Sequence, residues 1–334
     1  MKKGLSLLLT LYMLVLAFTA VGCLPARRQV KLGLGSVTSI AKSTDASAEK
    51  HALAQADTTI VGVMLGKDGK IINVSIDAAQ TKVEFDAEMK VASDKEAAIR
   101  SKKELGPDYG MKKYSKINKE WNEQVAAFES WMIGKTVKEV KNMKLADRGN
   151  PDVPELTSSV TISVQDFIAA LEKAAANTVE VKNYSTLGLG IISSIAGSKD
   201  ATETATAQAQ VDTTIAATAF DKKDKVVGAI IDDAQVRIPY DAEGKVSADK
   251  TAAVLTKKEL KENYGMKAKS PIGKEWYEQV AAFEKWMTGK AIGSITTLKV
   301  TESGKPDIPE LTSSVTISVE SLIAAVQEAG RYKK

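Results

Sequence analysis

The stretch DTTIVGVMLGKDGKIINVSID, residues 57–77, carries the clearest fold signal in the sequence. β-Branched residues alternate with smaller or polar ones on both sides of GKDGK, and the glycines stand where a tight turn needs a positive φ. This pattern predicts two antiparallel strands joined by a hairpin turn. The segment TKVEFD, residues 81–86, is expected to extend the same sheet.

The chain beyond residue 30 is one unit written twice, at a constant offset of 155 residues. The matched segments are KLGLG at 31–35 and TLGLG at 186–190, ADTTI at 56–60 and VDTTI at 211–215, and PELTSSVTISV at 154–164 and again at 309–319. Two long units are too few for a solenoid, so the repeat predicts a tandem pair of similar domains.

A helix is predicted over KEWNEQVAAFESWMIG, residues 119–134, because its apolar residues recur with a period of 3.6. The residues that share this face are Trp121, Val125, Phe128 and Met132. Core packing of the tryptophans is favoured over stacking on a cofactor. The second copy, KEWYEQVAAFEKWMTG, has the same layout.

Two further helices are predicted in each unit. SDKEAAIRSKKELG, residues 93–106, is typical of a short polar helix with Lys102 and Lys103 on a solvated face. The closing helix VQDFIAALEKAAA follows a strand-to-helix turn, with Ser163 as its N-cap, Asp166 completing a capping box and Ser318 as the N-cap of the second copy.

These elements predict an α+β protein of two similar tandem domains, each a mostly antiparallel sheet with helices on one side. The first domain is predicted over residues 31–177 and the second over residues 185–330. Residues 178–184 are predicted as a short linker between them.

Composition excludes several classes of protein. With 46 basic and 42 acidic side chains, the sequence lacks the charge excess typical of nucleic-acid binding. Its single cysteine excludes an intramolecular disulfide, an iron–sulfur cluster and a CxxCH haem site. Its single histidine, His51, excludes histidine-rich metal sites and a duplicated Ser-His catalytic pair. We therefore expect neither a metal site nor a catalytic acid, base or nucleophile.

The N-terminus has the pattern of an export signal, with two lysines before an apolar run over residues 5–20. AVGC, residues 20–23, resembles a bacterial lipobox, in which the cysteine receives a diacylglyceryl group and becomes the N-terminus after cleavage. We expect a signal peptide over residues 1–22, lipidation of Cys23 and a tether over residues 23–30. The alternative is an uncleaved membrane anchor.

The repeated motif contains a threonine, Thr161 or Thr316, placed just before the closing helix of its unit. The first N–H groups of a helix lack intrahelical partners and favour negative charge, so a phosphate on this hydroxyl would be held there. The alternative is that the hydroxyls only cap the helix and satisfy a turn. Capping needs one hydroxyl, whereas each copy carries five within seven residues.

The motif and its surroundings resemble two copies of the covalent FMN-binding domain family. ELTSSVT, which occurs at residues 155–161 and 310–316, is similar to the flavinylation motif of that family, roughly D-x-x-[ST]-G-A-T. Glutamate, serine and valine stand where the family has aspartate, glycine and alanine. The order of GLG, ADTTI, YGMK and KEW segments extends the resemblance over residues 31–330.

The resemblance implies two FMN groups, each esterified through its phosphate to a threonine by a flavin transferase that consumes FAD. The residues it assigns to the cofactor site are Thr161, Thr316, Glu155, Glu310, Ser158 and Ser313. Thr157 and Thr312 are alternative acceptors. The aromatic and thioether residues of the YGM segments, which either contact the flavin ring or pack ordinary loops, are Tyr109, Met111, Tyr264 and Met266.

With the lipobox, the sequence resembles flavin-carrying lipoproteins of extracellular electron transfer in Gram-positive bacteria. This implies an electron carrier, not an enzyme, anchored to the extracellular face of the cell membrane. It would pass electrons from a membrane quinone and NADH dehydrogenase to extracellular acceptors such as ferric iron. The alternative is a non-redox surface lipoprotein with duplicated recognition domains. The end of the signal peptide, LVLAFTAVG, either resembles released peptide pheromones or is a discarded export signal.

Overall fold

The computed structural model describes residues 29–334, so the predicted signal peptide and Cys23 lie outside the described residues. The strands are β1 Gln29–Ser39, β2 Leu53–Leu65, β3 Ile71–Glu84, β4 Thr178–Lys182, β5 Thr186–Ser194, β6 Gln208–Phe220 and β7 Val226–Pro239. The helices are α1 Lys102–Leu105, α2 Trp121–Met132, α3 Val137–Lys141, α4 Gln165–Ala176, α5 Lys257–Leu260, α6 Trp276–Met287, α7 Ile292–Thr296, α8 Pro309–Thr312 and α9 Glu320–Arg331. The predicted α+β class is confirmed. Two similar units, β1 to β4 and β5 to α9, each combine an antiparallel sheet with packed helices.

The predicted hairpin forms between β2 and β3, which pair antiparallel along their whole length. In the turn, the Gly66 N–H donates to the Lys70 carbonyl at 2.8 Å, and Gly69 has a φ of 74°. β3 continues to Glu84, as the TKVEFD segment predicted. β6 and β7 form the corresponding hairpin in the second unit.

The two sheets, in the orders β3-β2-β1-β4 and β5-β6-β7, pack face to face. Alternate residues of β2 therefore meet different partners: Ile60 and Met64 contact the other sheet, whereas Val61 and Val63 lie in the core beneath the helices. At one end of the interface, the rings of Phe85 and its repeat counterpart Tyr240 are 5.1 Å apart. The helices of each unit cover the outer face of its own sheet.

Three pairs of hydrogen bonds between the units are reciprocal, since each bond has a counterpart displaced by 155 residues in both partners. In the first pair, the Ala46 N–H donates to Gly244 O and the Ala201 N–H donates to Met89 O. In the second, the Val91 N–H donates to Asp200 Oδ1 and the Val246 N–H donates to Asp45 Oδ1. In the third, Lys95 Nζ donates to Ser198 O and Lys250 Nζ donates to Ser43 O. The units are thus related by an approximate twofold axis, with Phe85 and Tyr240 meeting across it.

The glycines of the two GLG segments lie where the closing helix of each unit packs directly on its sheet. A Cβ atom at Gly188 would lie 1.9 Å from the Ala329 carbonyl oxygen, and one at Gly190 would lie 1.9 Å from the Ala325 carbonyl oxygen. Any side chain at these positions would collide with the backbone of α9. The glycines are therefore needed for close approach of helix and strand.

We expect Gly188→Ala to lower the free energy of unfolding by about 3 kcal/mol, because the clash is with backbone and only a shift of α9 relieves it. Chemical denaturation measures the change. Gly293→Ala is the matched control, because a Cβ there meets nothing within 4 Å and Gly293 lies in α7. Equal unfolding midpoints for the two variants would contradict this explanation of the GLG pairs.

Residues 178–184, predicted as a linker, contain β4, which pairs antiparallel with β1 and adds a fourth strand to the first sheet. The second unit has a reduced version of this feature. Lys334 exchanges backbone hydrogen bonds of 2.8 and 3.0 Å with Leu187. Lys334 therefore pairs with Leu187 of β5 in the same way as Val179 of β4 pairs with Leu32 of β1.

Three details of the predicted helices are wrong. The polar helix over 93–106 is reduced to α1, because Ser101 caps it by accepting the Glu104 N–H and the preceding residues form turns. The closing helices begin after Val164 and Val319, not at serine caps. Both valines are fully buried, so core packing fixes the helix starts. Turns, not a strand, precede the first of these helices.

No helix within residues 29–334 is long and apolar enough to cross a membrane.

Candidate functional site

Thr161 and Thr316 occupy equivalent positions, each held by a glutamine, from α2 in the first unit and from α6 in the second. The Thr316 N–H and hydroxyl both donate to Gln279 Oε1, at 2.8 and 3.2 Å. Thr161 makes the same two bonds to Gln124 Oε1, with the same distances. The hydroxyl oxygens keep their remaining lone pairs for another group.

The two glutamines are fully buried, and their amide nitrogens are fixed by the loop before the helix. Gln279 Nε2 donates to Ser270 Oγ and to the Lys274 carbonyl, both at 3.2 Å, and lies 3.7 Å from Met266 Sδ. Each amide is therefore oriented with its oxygen toward the threonine. Sequence reasoning missed these residues, although a glutamine beside the apolar stripe in both copies was the available signal.

A pair of adjoining clefts, each of about 540 Å³, opens beside Thr316; we refer to them together as the Thr316 cleft. Both are lined by Gln235, Lys257, Tyr264, Met266, Lys305 and Ile317. One of them also reaches Ser321 and Leu322 in the first turn of α9 and the ring of Trp276. The cleft therefore combines aromatic and thioether surface, cationic side chains and the start of a helix.

The YGM residues of the second unit lie at the Thr316 cleft and also contact the core. Tyr264 and Met266 line both parts of the cleft while packing against buried residues of the second unit. Tyr109 and Met111 pack against the first core in the same way. At Tyr264 and Met266, packing against the core therefore occurs together with a position beside the cleft.

The repeated motif ELTSSVT, residues 155–161 and 310–316, is anchored by its apolar members. Leu311 and Val315 are buried, as are their counterparts in the first unit. Ser314 Oγ donates to the Leu311 carbonyl at 3.2 Å, so this hydroxyl serves the turn. The members that do not line the Thr316 cleft include Glu310, Ser313 and Thr312, the counterparts of Glu155, Ser158 and Thr157. Thr316 is therefore the motif residue with a hydroxyl at the cleft.

The prediction that Lys102 and Lys103 form a solvated face is wrong. Lys103 Nζ lies 2.7 Å from Glu129 Oε1, where burial lowers its pKa. Lys102 Nζ lies over the rings of Tyr109 and Trp121, at 4.9 and 5.4 Å from their centroids. A cation thus sits between the site's aromatic residues.

The second unit modifies this arrangement with one additional acid. Lys257 Nζ lies 5.3 Å from the ring centroids of both Tyr264 and Trp276, and 3.1 Å from Asp233 Oδ1. Burial raises the pKa of Asp233 and by itself would lower that of Lys257, but the Asp233 charge raises the pKa of Lys257 above its ordinary value. Ala78 takes the place of Asp233 in the first unit.

Comparison with protein families, with curated proteins and with solved structures found no match. Within residues 29–334, no group of three or more histidine, cysteine, aspartate or glutamate side chains is placed to hold a metal ion.

Proposed function

We propose that this protein is an electron carrier with two FMN groups, one joined through its phosphate to Thr161 and the other to Thr316. The observation that supports it best is the duplicated geometry. In both units a fully buried glutamine holds a threonine hydroxyl before a long helix, and in the second unit this hydroxyl lines a cleft of ligand size.

The residues of the Thr316 cleft fit the parts of FMN. The first-turn N–H groups of α9 and the ammonium of Lys305 would hold the phosphodiester charge. Tyr264 and Met266 would cover the ring, with Lys257 balancing negative charge beside it. When bound, FMN supplies reversible transfer of one or two electrons, for which the side chains of the described residues offer no equivalent.

Attachment requires an enzyme that uses FAD as the donor. The Thr316 Oγ1–phosphorus bond would form as the pyrophosphate bond of FAD breaks, and AMP would leave with the proton of the hydroxyl. Gln279 orients this hydroxyl by accepting its hydrogen bond, and it holds the backbone N–H of the same residue. The chain thus positions the acceptor, while the transferase supplies the catalysis.

The location proposed for this carrier is the extracellular face of the membrane, where the lipid on Cys23 would anchor it. A covalent bond prevents loss of the flavin by dilution outside the cell. Electrons would come from a membrane quinone and NADH dehydrogenase and leave to external acceptors such as ferric iron. The rival is a non-redox lipoprotein that binds a small ligand reversibly in the same clefts.

Intact-mass measurement of protein from a host that contains the transferase tests the proposal. We expect a mass increase that corresponds to two FMN groups, each attached through its phosphate. We also expect a flavin absorption spectrum that survives denaturation. The same protein made without the transferase is the control and should be colourless. Colourless protein of unmodified polypeptide mass from the first host would favour the reversible binding module.

A further inference from the structure

A row of polar residues crosses the strands at the Thr316 cleft, on the sheet face that the helices otherwise cover with apolar side chains. Asp212 of β6 pairs in register with Ser194 of β5 and with Gln235 of β7, and all three line the cleft. The first unit repeats the row with Ser39, Asp57 and Gln80. One ligand attached at Thr316 can therefore reach this row, because both border the same cavity.

The carboxylate in each row is flanked by two amides. Gln235 Nε2 donates to Asp212 Oδ1 at 2.7 Å, and Gln210 Nε2 donates to Asp212 Oδ2 at 2.8 Å. In the first unit, Gln55 and Gln80 make corresponding bonds of 3.0 Å to Asp57. Each amide group has a second N–H to offer, and each carboxylate oxygen has a further lone pair.

The cation that supports the row differs between the units, whereas the acid and the amides do not. Lys42 Nζ lies 2.8 Å from Asp57 Oδ2, but Gly197 is its counterpart in the second unit. There, Arg237 donates to the side-chain amide oxygens Oε1 of Gln210 and Gln235, at 3.2 and 2.9 Å. Burial would raise the pKa of Asp57, but the bonds from Lys42 and the two glutamines lower it, so this carboxylate stays ionised and accepts hydrogen bonds.

A carboxylate flanked by amide donors complements an edge with one N–H between two carbonyl groups. The flavin ring carries such an edge on its dioxopyrimidine portion, with the N3–H between the C2 and C4 carbonyls. We propose that Asp212 and Gln235, and in the first unit Asp57 and Gln80, hold this edge while the threonine holds the phosphate. The inference rests on the proposed function, because it takes the FMN at Thr316 as given.

The test uses Thr161→Ala protein, in which only Thr316 can carry flavin. We expect Asp212→Asn in this background to keep the covalent adduct but to shift the flavin absorption bands and the midpoint potential, because one of the two acceptor oxygens beside the N3–H is replaced by an amide donor. Asp57→Asn in the same background is the matched control. It makes the same chemical change beside the empty first site and should leave both readouts unchanged.

The results distinguish failure of the ring assignment from failure of the proposed carrier function. An adduct present at Thr316 with unchanged spectrum and potential in Asp212→Asn would overturn the ring assignment and leave the carrier function standing. Absence of any adduct in the unsubstituted protein would instead overturn the function. Should Asp212→Asn fail to fold, Gln235→Met in the same background decides, because it removes the amide donors while retaining a side chain of similar length. A spectral shift there supports the assignment, and an unchanged spectrum refutes it.

Discussion

Protein with both Thr161 and Thr316 changed to alanine is expected to carry no covalently bound flavin, and each single change is expected to leave one adduct. The reason is that each hydroxyl is fixed by a buried glutamine before the closing helix, and that of Thr316 opens into the cleft. Intact mass after denaturation gives the count directly. The expected stoichiometries are two adducts in the unsubstituted protein, one in each single variant and none in the double variant.

Loss of folding does not explain such a result, because each alanine variant keeps the stronger bond of the pair. The Thr316 N–H still donates to Gln279 Oε1 at 2.8 Å, and removal of the hydroxyl costs about 1 kcal/mol. Thr157→Ala and Thr312→Ala are the matched controls. They remove the alternative acceptors and should retain both adducts. A double Thr161 and Thr316 variant with flavin still attached after denaturation would contradict the assignment.

Local structure was predictable from the sequence where the pattern of a single element decides it. The hairpin of β2 and β3 and the helix α2 follow from alternation and from the 3.6-residue period within their own residues. The stacking of the two sheets was not predicted, because burial of Ile60 and Met64 depends on partners from the other unit. Similarly, the reduction of the helix over 93–106 to one turn depends on Asp77, which accepts the Lys103 N–H and the Ser101 hydroxyl.

The sequence pointed to the two threonines of the candidate site but not to the residues that hold them. Thr161 and Thr316 were identified because the motif recurs without change. Gln124 was missed because its role depends on a contact with a residue 37 positions away, and a polar residue on a helix is ordinarily solvated. The row of Asp57 and Gln80 was missed for the same reason, since register between strands brings these residues together.

The approximate twofold axis also exposes one position where the units differ in charge. Lys173 of α4 forms an ion pair of 2.7 Å with Glu259 of the second unit. The counterpart of Lys173 in α9 is Glu328, and the residue it faces is Glu104, the counterpart of Glu259. A cross-unit salt bridge on one side of the molecule thus corresponds to a pair of carboxyl groups on the other.

Glu328 is only 6% exposed, and its Oε2 accepts the Ile191 N–H at 3.0 Å. Burial, together with the negative charges of Glu104 and Asp77, raises its pKa from the ordinary 4.5 to about 8. Arg331 and Tyr332 at the end of α9 border the same acidic group. At neutral pH, Glu328 is therefore mainly protonated, with the Glu104 side chain as its neighbour and hydrogen-bond partner.

We expect this carboxyl to make the protein less stable as the pH rises. The folded protein retains the Glu328 proton up to about pH 8, whereas the unfolded chain loses it near 4.5. The contribution to stability is therefore fully present below pH 4.5, decreases as the pH rises toward 8 and is lost above it. The total change is on the order of a few kcal/mol.

Glu328→Gln isolates this contribution, because the glutamine oxygen can still accept the Ile191 N–H while the side chain cannot ionise. Buried carboxyl groups that do not interact with Glu328, including Asp232 with a pKa of about 6, titrate in both proteins and cancel in the difference. We expect the two proteins to have similar free energies of unfolding near pH 4.5 and the variant to be more stable by a few kcal/mol near pH 9. If the free energies of unfolding of the two proteins ran parallel from pH 4.5 to 9, Glu328 would ionise normally. The pair of Glu328 and Glu104 would then make no pH-dependent contribution to the contact between the two units.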